Sequence, residues 1–91
     1  MKLLKDILYG TRIAEVNGPT HVAIEDVAFD SREVKPFGLF VAVPGTRVDG
    51  HDYIEQAIER GAIAIAAERL PELRREGVTY VQVSDASKAL G

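Results

Sequence analysis

The sequence predicts a small single-domain α/β fold: a mixed, mostly buried sheet with a βαβ unit and flanking helices. Three observations carry this expectation. Leu39-Phe40-Val41-Ala42-Val43 and Ala62–Ala67 are continuous apolar runs of strand length, the first bounded by Pro and Gly on both sides, as in strands covered on both faces. Between them, residues 51–60 set Tyr53, Ile54, Ala57 and Ile58 at helical spacing, with Asp49 or Gly50 as cap and Gly61 just past the end. Strand, helix and strand in this order make a βαβ unit, whose strands should be parallel and whose crossover right-handed.

The remaining elements follow along the chain. Residues 2–9 place Leu3, Leu4, Ile7 and Leu8 on one face of a short helix, stopped by Gly10. Residues 13–16 read as a strand ended by Asn17-Gly18-Pro19, a turn signal because Asn and Gly tolerate positive φ and Pro presets a negative one. Residues 21–24 and 27–30 read as one strand, straight or bulged, running into Asp30-Ser31-Arg32. Pro71 opens a polar connection, and residues 78–83 form the last strand. Ser84 and Asp85 then cap a helix whose apolar face starts with Ala86, Ala89 and Leu90; either it is cut at Gly91 or Gly91 caps a two-turn tail.

Composition narrows the function classes. The 91 residues carry 11 Lys plus Arg against 14 Asp plus Glu, a formal net charge of −3. Such a surface argues against general binding of nucleic acid or of an anionic membrane. The chain has no cysteine, which rules out disulfides, Cys-ligated metals and a thiol nucleophile. Its longest apolar run, Ala62–Ala67, is far below the roughly 18 to 20 residues that span a bilayer, and Lys5 and Asp6 interrupt any secretory h-region. A cytoplasmic monomer is expected.

The candidate site is the connection after the first buried strand, residues 44–50. It leaves the carboxyl end of that strand and enters a helix amino terminus, where α/β sheets bind ligands. Free amides, the helix dipole and Arg47 favour an anion such as a phosphate or diphosphate, while a plain tight turn explains Gly45 and Gly50 equally well. Gly45-x4-Gly50 is not a P-loop, because His51-Asp52 stands where Lys and Ser or Thr are required. His21 and His51 have no third ligand at metal-binding spacing, and capping explains His51-Asp52 better than general-base chemistry. At the end of the preceding strand, Ser31 offers a hydroxyl to a base or sugar and Phe29 a face to a flat ring; an Asx or Ser turn with a surface Arg explains the same residues.

Asp30-Ser31-Arg32-Glu33-Val34-Lys35-Pro36, then Leu39 through Gly45, then Asp49-Gly50-His51-Asp52-Tyr53-Ile54 and Ala57-Ile58-Glu59-Arg60-Gly61-Ala62 resemble, in order and spacing, the N-terminal domain of the Mur ligases. The resemblance is strong over residues 27–67. It implies that residues 1–91 are an excised UDP-substrate-binding domain, that ATP-binding and C-terminal domains belong to the parent enzyme, and that a phosphate loop follows residue 91. It implies further that the parent is an ATP- and Mg2+-dependent carboxylate-amine ligase of peptidoglycan synthesis, working through an acyl phosphate. The flanks favour the type that adds the third residue, meso-diaminopimelate or L-lysine, to UDP-N-acetylmuramoyl-L-alanyl-D-glutamate. A fourth-step ligase and a stand-alone interaction module are the rivals. Carried over residue by residue, the contacts to the UDP moiety are Phe29, Ser31, Thr46, Arg47 and Val48, with no catalytic residue and no metal ligand in this stretch. The chain departs from the family at Phe37-Gly38, where Gly-Asp is usual.

Overall fold

The computed structural model describes residues 2–44, 49–72 and 74–86. Its main sheet has five strands in the order β2-β7-β6-β5-β4: β2 Ile13–Asn17, β7 Thr79–Val83, β6 Ala62–Ala67, β5 Gly38–Ala42 and β4 Val27–Ala28. β4, β5, β6 and β7 run parallel, and β2 joins β7 antiparallel. The expected mixed sheet and parallel βαβ pair are therefore present. Two further short strands, β1 Lys2–Leu3 and β3 Ala23–Ile24, form a separate antiparallel pair.

Alternation along the central strands builds one core on each face of the sheet. Leu39, Val41, Ala64, Ala66, Val81 and Val83 face Leu4, Leu8 and Ile24 on one side. Phe40, Ala42, Ile65, Ala67 and Tyr80 face Val34, Ile54 and Ala57 on the other. The register slips between Gly38 and Leu39 against Ala62 and Ala64, and this irregularity resets which side chains of β6 point to which face. On this second face β6 presents the small side chains of Ala62 and Ala67, which leave room for Ile54 and Ala57 of α2, Ile54–Glu59, to sit close on the sheet.

Three expected elements are corrected. The amino-terminal segment opens as a strand, because Leu4 and Lys5 donate to Val22 and Thr20 (2.9 and 2.8 Å), and only one helical turn, α1 Leu4–Ile7, remains. The single strand expected over residues 21–30 is two, β3 and β4, in different sheets. Between them Glu25 donates to the Phe37 carbonyl and Leu39 donates to the Asp26 carbonyl (2.9 and 2.8 Å), so the chain crosses from the small pair to the edge of β5. The crossover helix begins with a 3-10 turn, Gly50–Tyr53, and becomes α-helical only at Ile54. The expected carboxyl-terminal helix lies mainly in residues 87–91, outside the described residues; the described Ala86 is fully buried in the first core.

The departure at Phe37-Gly38 has a geometric account. Phe37 has φ 65°, a left-handed conformation that suits the family's glycine better than an aromatic. At Gly38 a Cβ would stand 2.8 Å from the Lys35 carbonyl oxygen, so this version of the turn requires glycine at the second position instead.

Candidate functional site

A cleft of about 450 Å3 opens where β4 and β5 end. Its walls are built locally. After β4, the chain turns through a 3-10 segment, Ser31–Glu33, whose cap is Asp30. Asp30 accepts from the Arg32 amide (2.9 Å) and from its guanidinium in a forked pair, Nε to Oδ1 at 3.1 Å and Nη2 to Oδ2 at 2.7 Å. These contacts lower the Asp30 pKa from 3.8 to about 2, the side-chain hydrogen bonds of Arg32 contributing most. These contacts shape the turn, which places Ser31 inward, 5% exposed, while Phe29 stays 50% exposed at the rim.

The opposite wall comes from the crossover. Gly50 lies against the end of β5, its amide donating to the Val43 carbonyl at 2.9 Å; a Cβ there would fall 2.6 Å from the Val43 nitrogen. Tyr53 and Gln56 follow one helical turn apart and both line the cleft. Ser31 Oγ donates to Gln56 Oε1 at 3.2 Å, closing the floor between the two walls. Ser31 keeps lone pairs to accept with, and the Gln56 amide brings a donor group to the same spot. An aromatic face at the rim and a polar pair on the floor suit a flat, hydrogen-bonding ring.

Of the residues expected at the site, Phe29 and Ser31 come together in this cleft, and Thr46, Arg47 and Val48 lie outside the described residues. Gln56 and the exposed position of Tyr53 were not anticipated. Their signal was the i, i+3 spacing of two polar-tipped side chains, which places them on one helix face.

Asp49 caps the 3-10 turn by accepting from the His51 amide at 2.9 Å, as the capping reading of that segment requires. That bond, the His51 ring and Arg69 lower the Asp49 pKa from 3.8 to about 2. Phe29 also borders a second depression of about 510 Å3, lined as well by Asp6, Ile24 and Val27. Among the described residues, no three His, Asp or Glu side chains gather as metal ligands, and no helix is long and apolar enough to cross a membrane.

Residues 23–91 match the model of the Mur ligase family, catalytic domain. A Bacteroides fragilis protein named UDP-N-acetylmuramoyl-L-alanyl-D-glutamate--2,6-diaminopimelate ligase is 46% identical over 88 residues, 97% of this chain and 18% of that protein. MurF from Acinetobacter baumannii has a similar fold, with a TM-score of 0.73 at 22% identity over 94% of this chain and 18% of its own. MurF ligase from Thermotoga maritima, solved in complex with ADP, gives a TM-score of 0.61 at 34% identity over 94% of this chain and 15% of its own. The chain thus spans less than a fifth of the length of the proteins it matches, 18% for the Bacteroides ligase.

Proposed function

The chain belongs to the Mur ligase family, and we propose that within it residues 1–91 anchor the UDP moiety of UDP-N-acetylmuramoyl-L-alanyl-D-glutamate for a peptidoglycan ligase that adds the third peptide residue. The observation that carries the reading is the cleft itself: Phe29, Ser31 and Gln56 converge at the carboxyl ends of β4 and β5. The uracil lies against Phe29, with its polar edge at Ser31 and Gln56. The diphosphate extends toward the connection that bears Thr46, Arg47 and Val48, where Arg47 supplies positive charge.

The 46% identity to a diaminopimelate ligase, against 34% to the Thermotoga MurF, favours the third step over the fourth and diaminopimelate as the residue added. The parent enzyme activates a carboxylate with ATP and Mg2+ in the cytoplasm. This domain contributes binding energy far from the reacting carboxylate, and that energy serves to hold the substrate in register with the rest of the enzyme. It acts as a monomer and needs no nucleic acid or membrane.

Calorimetric titration of the chain with UDP, CDP and uridine tests the reading. UDP should bind more tightly than CDP, whose base presents a different hydrogen-bonding edge, and more tightly than uridine, which lacks the diphosphate. Equal affinity for UDP and CDP would remove the uracil from the Ser31–Gln56 floor.

A further inference from the structure

Both ring nitrogens of His51 are committed. Nε2 lies 3.2 Å from the Glu68 amide nitrogen and 3.1 Å from that of Arg69. Two N–H donors converging on one atom require a lone pair there, so Nε2 carries no proton. Nδ1, 2.6 Å from Asp49 Oδ1, is then the protonated nitrogen, and the ring is the neutral Nδ1–H tautomer. The second Asp49 oxygen accepts from Arg69 Nη2 at 2.6 Å. A carboxylate, an imidazole and a guanidinium thereby tie the turn at Asp49 and Gly50 to the exit of β6. The imidazole is 8% exposed, so water competes little for these bonds.

What this tie holds in place is one wall of the cleft. Gly50 and Tyr53 belong to the same 3-10 turn as His51, and both line the cleft. The Gly50 amide bond to Val43 secures only the base of the turn against β5. Its hold on the exit of β6 comes from the His51 ring together with the Asp49–Arg69 pair. Asp49 is also the described residue that follows Thr46, Arg47 and Val48, so the same contacts fix the carboxyl-terminal anchor of that connection.

We propose that His51 is a positioning residue for nucleotide binding: its neutral Nδ1–H tautomer latches the 3-10 turn to the end of β6 and presets the cleft wall before ligand arrives. The proposal rests on the nucleotide-binding reading of the cleft. It assigns His51 no proton transfer, because neither nitrogen is free to exchange a proton with substrate.

The latch can be read without ligand in the 91-residue chain. Nitrogen NMR of the ring at neutral pH should show a pyrrole-type Nδ1 and a pyridine-type Nε2, and the Glu68 and Arg69 amides should exchange slowly with solvent. UDP is then titrated into wild type, His51→Ala and His51→Gln, the last of which reaches the two amides with a carbonyl oxygen in place of Nε2. His51→Ala should bind UDP about tenfold more weakly while keeping a cooperative unfolding transition, and His51→Gln should recover most of the loss. Should His51→Ala not fold, His51→Asn takes its place, since it keeps a donor toward Asp49 but cannot reach the amides. A protonated Nε2, or a folded alanine or asparagine variant with wild-type affinity, would overturn the proposal. Correct ring signals in a wild-type chain that binds no UDP would sink the nucleotide reading, and the positioning role with it, while leaving the latch as a structural tie.

Discussion

At the scale of single residues, Ser31 and Asp49 show how a short polar side chain shapes a site. Ser31 is buried beneath the rim and spends its proton on Gln56, so its value to a ligand is as an acceptor. Ser31→Ala should weaken UDP binding by about 0.5 to 1.5 kcal/mol, and Gln56→Ala by a similar amount, as expected for single neutral hydrogen bonds. Arg47→Ala should cost about 1.5 to 3 kcal/mol if its charge meets phosphate, and of the three only this loss should shrink in high salt. Calorimetry at two ionic strengths separates them. Asp30 and Asp49 give the fold an acid dependence with a definite sign. Their folded pKa values, about 2, lie below the ordinary 3.8, so the stability they contribute is fully present above roughly pH 4 and is lost as pH falls toward 2. Asp49→Asn should flatten the stability profile in that window, measured by urea denaturation at stepped pH. Phe29 and Ser31 were legible in the sequence because a ring and a hydroxyl flank an aspartate at a strand end. Gln56 was not, since its partner is 25 positions away, and neither was the His51 tie to β6, since backbone amides leave no mark in a sequence.

At the scale of elements, legibility followed length and burial. β5 and β6 are largely buried apolar runs, α2 buries Ile54 and Ala57 at helical spacing while its other face stays exposed, and β6 occupies the predicted residues to the end. β3 and β4 have two residues each, too few for alternation to separate them, and what divides them is a pair of backbone bonds to Phe37 and Leu39. The 3-10 opening of the crossover was hidden for a similar reason: the apolar spacing of Tyr53, Ile54 and Ala57 fits either helix type over one turn. The joints between elements are the fragile points. Gly61 ends α2 with φ +113°, and a Cβ there would come within 2.7 Å of Pro36 Cα, a backbone atom that cannot step aside. Gly61→Ala should destabilise the domain by about 1 to 3 kcal/mol. Phe37→Gly should do the reverse at the neighbouring turn: it relieves a left-handed aromatic that is 61% exposed and contributes little to the core. Thermal melts of the two variants should move in opposite directions.

At the scale of the whole molecule, the central strands β5, β6 and β7 are covered on both faces, and the two edges of the sheet are managed differently. β4 is two residues long, and β2, exposed along its length, carries Glu15 paired with Arg74 and stops at Asn17. The chain should therefore sediment as a monomer and unfold in one cooperative step; a tight dimer would show that β2 seeks a partner strand. With no Lys-Ser or Lys-Thr after Gly45-x4-Gly50, it should release no phosphate from ATP in the presence of the dipeptide substrate and diaminopimelate. The proposed role of this domain is to hold the UDP end of the substrate in the cleft lined by Phe29, Ser31 and Gln56. Titrating UDP into the isotope-labelled chain while following backbone amide shifts tests it most directly. Saturable shifts are expected at Phe29, Ser31, Gly50, Tyr53 and Gln56, together with residues of the connection between Pro44 and Asp49. Shifts confined to another face, or none at millimolar UDP, would contradict it.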